Sequence, residues 1–341
     1  MTPLSPLADQ IAQTTQRVAG QVAVHTVRTP LVRYAGASEV SGATLLIKSE
    51  HQQRTGSFKL RGALSKMLSL SAAQRATGIV TASSGNHGLG VARALHSLGG
   101  RGIICVPAGA SPAKLAAIGR FDVEIRTLGR ETGETENRAR ALAEELGMTF
   151  ISPYNDPDVI AGQGTIGREI LDQLGDHALE TVDAVVVSVG GGGLISGVAA
   201  SIKAAAPATR IIGASPVNDA AMAAAVKAGS VVEYDARPTI SDGTAGGLEP
   251  GTVTLPLCSE LVDEWILPTE EQIRDALRLA IDTEHQLIEG AAATALAAGI
   301  SYGRSHPGQT IVVVSCGGNI SSTTLAAALG VATSEASPRS V

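Results

Sequence analysis

Residues 183–205 have the sequence DAVVVSVGGGGLISGVAASIKAA, and this stretch decides the fold class. Its apolar, β-branched first part has the length and composition of a strand that is buried on both faces of a parallel sheet. Its alanine-rich last part favours a helix. Four glycines, Gly190–Gly193, separate the two parts. The order of strand, glycine loop and helix predicts an α/β protein.

The same alternation of apolar runs and helical stretches continues along the chain. Further strand candidates are GIVTAS at 78–83, RGIICVP at 101–107, RIIGASP at 210–216 and TIVVVSCGG at 310–318. They predict two parallel-rich sheets flanked by helices, with a crossing at SPYNDPDV, residues 152–159. We therefore predict a large lobe from residues 1–71 and 153–341 and a small mobile lobe from residues 72–152, ending in a frayed tail at 331–341.

The composition disfavours several classes of function. The formal net charge of −6 is spread along 341 residues, so we expect neither nucleic acid nor a membrane as a partner. No apolar run reaches the roughly 18 residues of a spanning helix, and the first residues lack the pattern of a signal peptide, so we expect a cytoplasmic protein. Three cysteines and seven histidines are scattered without metal-binding spacing, and no metal site is predicted.

Ligands of open α/β sheets bind beyond the carboxyl ends of the strands, which directs attention to the loops there. Three such loops are SSGNHG at 83–88, GGGGL at 190–194 and SCGGN at 315–319. The backbone N–H groups of consecutive glycines before a helix can converge on a phosphate. A flexible turn without a ligand is the alternative. The loop matches neither the Walker A motif nor the GxGxxG spacing, which disfavours a dinucleotide.

Lys59 lies in TGSFKLRGA, residues 55–63, where a helix is predicted to begin between two apolar neighbours. Burial disfavours the ammonium form of a lysine, and a Schiff-base lysine requires this. Taken alone, Lys59 would be interpreted as a surface charge. The phosphate loop and the asparagine loop together favour the catalytic interpretation.

Five motifs resemble, in order and spacing, those of the fold-type II pyridoxal-phosphate enzymes, which share the tryptophan synthase β-like fold. They are SFKLRGA at 57–63, SSGNHG at 83–88, IAGQGT at 160–165, GGGGL at 190–194 and SCGGN at 315–319. Within that family the chain is similar to the serine/threonine dehydratase and serine racemase group, from about residue 20 to residue 330. The resemblance implies a homodimer that binds pyridoxal 5'-phosphate between its lobes and acts on a small amino acid.

The resemblance also implies roles for individual residues. Lys59 would form the Schiff base, Phe58 would pack near the cofactor ring, and Asn86 would bind its phenolic oxygen. Glu289, in LIEGAAA, would lie close to the pyridine ring. The residues implied to cradle the phosphate are Gly190, Gly191, Gly192, Gly193 and Leu194. Those implied to receive the substrate, whose carboxylate backbone donors can hold, are Ser83, Ser84, Gly85, Asn86 and His87.

Cys316 falls where this group has a serine or cysteine beside the pyridine nitrogen. A neutral thiol cannot keep that nitrogen protonated as a carboxylate would, so the ring becomes a weaker electron sink. A long-lived carbanion is then disfavoured, and early loss of a β-leaving group is favoured. The alternative is that Cys316 is only a small buried residue.

Ser84 resembles the serine of serine racemases that returns a proton to the opposite face of the substrate, which keeps racemisation open. Against it, Ser215 and Ala221 stand where the racemase cation site has acidic residues, leaving Asp219 as the nearby carboxylate. Thr135 stands near the position where a serine racemase would have an arginine that binds the substrate. The stretch 241–257 is richer in Gly and Pro than expected for a serine racemase, which leaves open a substrate that is neither serine nor threonine.

The sequence therefore predicts a dehydratase that eliminates water from a β-hydroxy amino acid, giving a 2-oxo acid and ammonium. The substrate is of the L-threonine or L-serine type, or larger, such as phenylserine or 3-hydroxyaspartate. Two alternatives remain at this stage. One is a racemase or a β-replacement synthase on the same scaffold, and the other is a non-catalytic binding protein that keeps the fold.

Overall fold

The computed structural model describes residues 3–330, so the predicted frayed tail at 331–341 lies outside the described residues. The strands are β1 Leu31–Arg33, β2 Thr44–Lys48, β3 Ile79–Ala82, β4 Gly102–Val106, β5 Glu124–Thr127, β6 Thr149–Phe150, β7 Ala184–Ser188, β8 Arg210–Ala214, β9 Glu264–Ile266 and β10 Thr310–Val314. The strands expected from the apolar runs are confirmed.

Helices connect these strands and cover the sheets. They are α1 Pro6–His25, α2 Ala35–Ser41, α3 Lys59–Ser69, α4 Ala72–Thr77, α5 Asn86–Leu98, α6 Pro112–Ile118, α7 Thr132–Glu145, α8 Pro157–Gln173, α9 Gly193–Ala205, α10 Ala221–Ala228, α11 Thr254–Leu261, α12 Glu270–Asp282, α13 Gly290–Ser305 and α14 Ser322–Leu329. Short 3₁₀ helices lie at Glu50–Gln52 and Leu174–His177. No helix within residues 3–330 combines the length and the apolar character needed to cross a membrane.

The strands form two separate sheets. The larger has six strands in the order β1-β2-β10-β7-β8-β9, parallel except for the antiparallel edge strand β1. The smaller has four parallel strands in the order β5-β4-β3-β6. Strands β7 and β10 are buried along almost their whole length, as expected for β-branched runs covered by helices on both faces. The predicted α/β fold with two parallel-rich sheets is confirmed.

Helix α3, which begins at Lys59, packs between the two sheets. Its apolar residues Leu60, Leu64 and Met67 share one core with Ile79 of the four-stranded sheet, while its other side packs on α8. The lobe boundary at residue 71 remains a prediction, because the apolar core of the small sheet continues into this helix.

Buried charges also hold α3 in place. Arg61, which has no exposed surface, pairs with Glu50 at 2.8 Å and with Glu169 of α8 at 2.7 Å. Lys48, at the end of β2, pairs with Glu169 at 2.6 Å. Two cations balance two carboxylates, so none of these buried charges is left uncompensated. The cluster fixes the start of α3 relative to β2 and α8, and with it the position of Lys59.

The crossing between the sheets is short. Strand β6 ends at Phe150, and α8 begins at Pro157 because the Asp156 carboxylate caps it, accepting from Asp158 N at 2.8 Å. Residues 151–156 therefore connect the small sheet directly to the helix that packs on α3.

Candidate active site

The site forms where three neighbouring strands of the large sheet end. Because β10 lies between β2 and β7, the segment that leads to Lys59, the loop after β10 and the glycine loop after β7 leave the same edge. The first two segments are hydrogen-bonded to each other: Ser57 pairs with Gly317, and Phe58 N donates to Cys316 O at 3.0 Å. The fold thus brings Lys59 and Cys316 to the same edge of the sheet.

Lys59 lies in a confined, half-buried position at the start of α3. Its Nζ donates to Pro153 O at 2.8 Å and lies 5.1 Å from the centre of the Phe58 ring. A Cβ atom on Gly90 of α5 would lie 3.0 Å from Lys59 C, so α5 packs directly on the lysine backbone. Burial lowers the pKa of Lys59 to about 8, and the nearby carboxylate of Glu289 opposes this shift. The amine is therefore easier to deprotonate than an ordinary lysine.

Asn86 and Glu289 face each other across the site. Asn86 Nδ2 donates to both carboxylate oxygens of Glu289, at 2.9 and 3.1 Å. Glu289 precedes the first residue of α13, and its backbone N–H donates to Gly317 O at 3.0 Å, which ties it to the loop after β10. Burial raises the pKa of Glu289, while the hydrogen bonds from Asn86 oppose the shift.

Cys316 is buried beside Glu289, with its Sγ 4.0 Å from Glu289 Oε1. Burial, and next the negative charge of Glu289, raise the pKa of the Cys316 thiol above its usual range. The thiol is therefore protonated and uncharged at neutral pH.

The glycine loop is built for close approach. A Cβ atom on Gly190 would lie 2.6 Å from Thr244 O, and one on Gly191 would lie 2.5 Å from Cγ of Tyr154. Gly192 has a φ of +85°, a conformation that side chains disfavour, and α9 begins with the next residue. In the hydrogen-bond pattern of residues 3–330, no protein acceptor is assigned to the backbone N–H groups of Gly190–Gly193. Leu194 is buried in the first turn of α9.

The loop at 83–87 leads from β3 into α5. Gly85 N donates to Ser83 Oγ at 3.2 Å, which closes the turn, and the half-buried Ser84 makes no side-chain hydrogen bond to another described residue. His87 is buried, and its Nε2 donates to Ile151 O at 3.1 Å. Burial, and next the charge of Lys59, lower the pKa of His87 to about 3, so its ring is neutral.

The profile of the family described as pyridoxal-phosphate dependent enzymes matches residues 22–317. The chain belongs to this family. The family therefore agrees with the resemblance found in the five motifs and with the cofactor that they imply.

Individual pyridoxal-phosphate enzymes are similar over almost the whole chain. The catabolic L-threonine dehydratase TdcB of Escherichia coli is 38% identical over 317 residues, which cover 92% of each protein. The structure of threonine deaminase isoform 2 from Solanum lycopersicum matches with a TM-score of 0.90 and 33% identity, over 97% of this chain and 89% of that one. Maize serine racemase matches with a TM-score of 0.86 and 30% identity, over 94% of this chain and 96% of that one.

The site residues fit pyridoxal phosphate. The side-chain-free loop at Gly190–Gly193 offers donors and the N-terminus of α9 to a phosphate, and the amine of Lys59 has a lowered pKa. Cys316 offers an uncharged neighbour to a ring nitrogen, and Asn86 offers an N–H donor. In residues 3–330, no cluster of three or more His, Cys, Asp and Glu side chains could hold a metal ion, and Asp219 accepts from Gly246 N at 2.9 Å.

The structure adds residues that the sequence did not single out. Asn319, the last residue of SCGGN, contacts Asn86, and Pro153 supplies the carbonyl that binds Lys59. Tyr154 packs on the glycine loop, and its hydroxyl accepts from Glu249 N at 2.9 Å. The signals were present in the motifs SCGGN and SPYNDPDV, but neither motif indicates which loop its residues would contact.

Thr135 takes no part in a substrate arginine site in this arrangement. Its hydroxyl is buried and donates to Glu131 O at 2.8 Å, which ties it to the start of α7. Helix α7 also carries Arg140, whose Nη2 lies 2.9 Å from both Glu136 of the same helix and Glu249 of the loop that precedes α11.

Proposed function

We propose that the protein is a pyridoxal-phosphate-dependent dehydratase, an ammonia-lyase, acting on a small β-hydroxy amino acid of the L-threonine or L-serine type. The observation that carries this proposal is a lysine amine of lowered pKa, Lys59, at the same sheet edge as the uncharged thiol of Cys316. The similarity to proteins named threonine dehydratase and threonine deaminase supports the same reaction.

When bound, pyridoxal phosphate supplies the electron sink that makes the α-proton of the amino acid acidic. Cys316 provides no negative charge to hold a ring nitrogen protonated, because burial keeps its thiol neutral. The sink is then a moderate one, so a rapid loss of the β-hydroxyl is favoured over a long-lived carbanion. Elimination is the outcome that this environment favours.

Lys59 acts as the base. A pKa near 8 leaves a useful fraction of its Nζ neutral in the neutral to slightly alkaline range, so with pyridoxal phosphate bound it would serve as the proton acceptor. The neutral Nζ removes the α-proton and returns a proton to the departing β-hydroxyl, which leaves as water. The released enamine takes up water and loses ammonium, so the net products are a 2-oxo acid and ammonium.

The loop of Ser83, Ser84, Gly85, Asn86 and His87 holds the substrate carboxylate. The unpaired backbone N–H groups in the first turn of a helix favour an anion, and α5 begins at Asn86 within this loop. The neutral ring of His87 adds no competing charge, and its bond to Ile151 O keeps the loop against the crossing segment.

The catalytic role of Lys59 can be tested separately from the stability of the fold. Lys59→Ala should abolish both the absorption band of the bound cofactor and turnover. Lys66→Ala, in the same helix but in a partly buried pair with Asp156, should retain both. A Lys59→Ala protein that keeps either property contradicts the assignment.

The substrate can be identified by measuring which amino acid the protein converts to a 2-oxo acid. Formation of 2-oxo acid would be measured with L-threonine, L-serine, 3-hydroxyaspartate and phenylserine, with and without EDTA. We expect L-threonine or L-serine to react and EDTA to have no effect. A preference for a larger substrate would agree with the Gly- and Pro-rich stretch 241–257, and no 2-oxo acid from any of them would refute a dehydratase.

Racemisation is the second candidate, because the hydroxyl of Ser84 has no side-chain partner among the described residues and is free to exchange a proton. The similarity to maize serine racemase supports it. Ser84→Ala should abolish D-serine formation from L-serine while leaving formation of 2-oxo acid. If the parent enzyme forms no D-serine, this second activity is ruled out.

A further inference from the structure

Asn319 is connected to the site by hydrogen bonds that fix the direction of its side-chain amide. Its Nδ2 donates to Thr55 O at 2.8 Å and to Asn86 Oδ1 at 2.7 Å. A backbone carbonyl only accepts, so the atom that faces Thr55 must be the nitrogen. The two protons of Nδ2 are then both used, one on Thr55 and one on Asn86.

The same chain of bonds determines how Asn86 is turned. Because Asn86 Oδ1 accepts from Asn319, its Nδ2 faces the opposite way, into the site, where it donates to Glu289. The orientation of an amide that could otherwise rotate by half a turn is thus set from both sides, by Thr55 O acting through Asn319 and by the carboxylate of Glu289.

Two features of the fold bring Asn319 to this position. Gly318 N donates to Gly56 O at 2.9 Å, which joins the loop after β10 to the segment before Lys59. Gly56 has a φ of +69°, and a Cβ atom there would lie 2.5 Å from Asn319 Oδ1. Only glycine leaves room for the Asn319 side chain beside Thr55. Asn319 N also donates to Glu289 Oε2 at 3.1 Å.

We propose that Asn319 is a positioning residue that holds the amide of Asn86 so that its Nδ2 donor, and not its Oδ1 acceptor, is presented to the cofactor. The proposal rests on the proposed function and on the role that the resemblance implies for Asn86, a hydrogen bond to the phenolic oxygen of pyridoxal phosphate. That oxygen accepts hydrogen bonds, so an inward Oδ1 would oppose it electrostatically. Asn319 itself acts through Asn86.

The test measures the dissociation constant for pyridoxal phosphate and the absorption spectrum of the bound cofactor in a double-mutant cycle. The variants are Asn319→Ala, Asn86→Ala and the double variant. Asn319→Ala should weaken cofactor binding by about twofold to tenfold, the range expected for one neutral hydrogen bond, and shift the pH at which the spectrum changes. In the Asn86→Ala background, the same substitution should have no further effect.

Asn319→Asp keeps the shape of the side chain but removes its N–H donors. Asn86 would then turn its Nδ2 toward the introduced carboxylate and present Oδ1 to the cofactor, so we expect a larger loss than for Asn319→Ala. Asn218→Ala is the matched control, because it also removes a hydrogen bond from a side-chain amide to a backbone carbonyl outside the site. In this case Asn218 Nδ2 donates to Pro238 O at 2.7 Å. It should leave cofactor affinity unchanged.

The outcomes separate this inference from the proposed function. If Asn86→Ala leaves affinity and spectrum unchanged, Asn86 does not bind the cofactor and the positioning role is overturned, whereas formation of 2-oxo acid by the parent enzyme tests the dehydratase separately. If Asn86→Ala weakens binding while Asn319→Ala does not, or if the two losses add fully, Asn319 does not act through Asn86 and only the positioning role is overturned. Thermal unfolding of the cofactor-free variants shows whether a loss of affinity reflects loss of folding.

Discussion

The local environment of Lys59 makes its amine easier to deprotonate than that of an ordinary lysine. A lysine in water has a pKa near 10.4, whereas burial at the start of α3 lowers the pKa of Lys59 to about 8. Only the neutral amine attacks a carbonyl carbon, so the environment determines the pH range in which the protein takes up its cofactor.

We predict that the rate of covalent cofactor loading rises with pH and levels off above about pH 8. The neutral fraction of Lys59 increases through its pKa and is nearly complete one to two units above it. Cofactor-free protein would be mixed with pyridoxal phosphate across the pH range, trapped with borohydride, and the adduct quantified at Lys59 by mass spectrometry. A rate that keeps rising to pH 10 would show an ordinary lysine.

His87 should make folding more sensitive to acid. Burial lowers its pKa from the ordinary 6.5 of a histidine to about 3 in the folded protein, so between these values the unfolded chain binds the additional proton. The stability that it contributes is present above pH 6.5 and is lost as the pH falls, at about 1.4 kcal/mol per pH unit.

His87→Gln should therefore lose less stability than the parent when urea unfolding is compared at pH 7 and pH 5. The parent should lose on the order of 2 kcal/mol more over this interval because of His87. His96→Gln is the control, since this histidine lies in the same helix but is exposed in the folded state. An equal acid sensitivity of His87→Gln and parent would contradict the neutral, buried state of the ring.

The glycine loop and the helix α9 that follows it form one structural unit. The loop leaves β7, turns at Gly192 and enters α9, and Tyr154 covers it from the crossing segment. Thr254 Oγ1 donates to Gly191 O at 2.7 Å, so the loop is held from the side of α11 as well. The loop is thus held in one shape, as a phosphate cradle requires.

We predict that Gly191→Ala weakens binding of pyridoxal phosphate by at least tenfold, because its Cβ atom would lie 2.5 Å from the Tyr154 ring and move the loop. Gly20→Ala is the contrasting control, since Gly20 is exposed in α1 and a Cβ atom there meets nothing within 4 Å. It should leave binding unchanged and stabilise the protein by about 0.5–1 kcal/mol. Cofactor titration and thermal unfolding measure both effects.

Arg140 joins parts of the whole molecule that lie far apart in the chain. It belongs to α7, which packs on the four-stranded sheet, and it pairs with Glu249, in the loop that precedes α11 of the other part. It also pairs with Glu136, whose pKa is raised by burial and by the charge of Glu249. Without Arg140, two carboxylates would face each other between the predicted lobes.

We predict that Arg140→Gln raises the KM for the amino acid by about threefold to tenfold and changes kcat less, because the predicted closed arrangement loses a partly buried ion pair. Adding Glu249→Gln should restore most of the KM, since it removes the repulsion. Arg138→Gln, which breaks the exposed pair of Arg138 with Glu134, is the control and should have no effect. Parent-like kinetics of Arg140→Gln would exclude a role in closure.

Local sequence determined much of the fold and part of the site. The runs AVVVS and TIVVV specify buried strands because β-branched residues suit a covered parallel sheet, and glycines directly after them mark the loops at the strand ends. Lys59, Asn86, Cys316 and the Gly190–Gly193 loop were predicted from motifs and from the family resemblance that these motifs carry, since a motif places its residues on a loop without reference to the rest of the chain.

Tertiary structure decided which of those loops meet. No local signal places β10 between β2 and β7, yet that order brings Cys316 beside the segment that contains Phe58. The bond from Asn319 to Asn86 spans 233 positions, and that from Arg140 to Glu249 spans 109. Contacts of this kind depend on the packing of whole elements, so the sequence determined the chemical groups of the protein and the tertiary structure decided their partners.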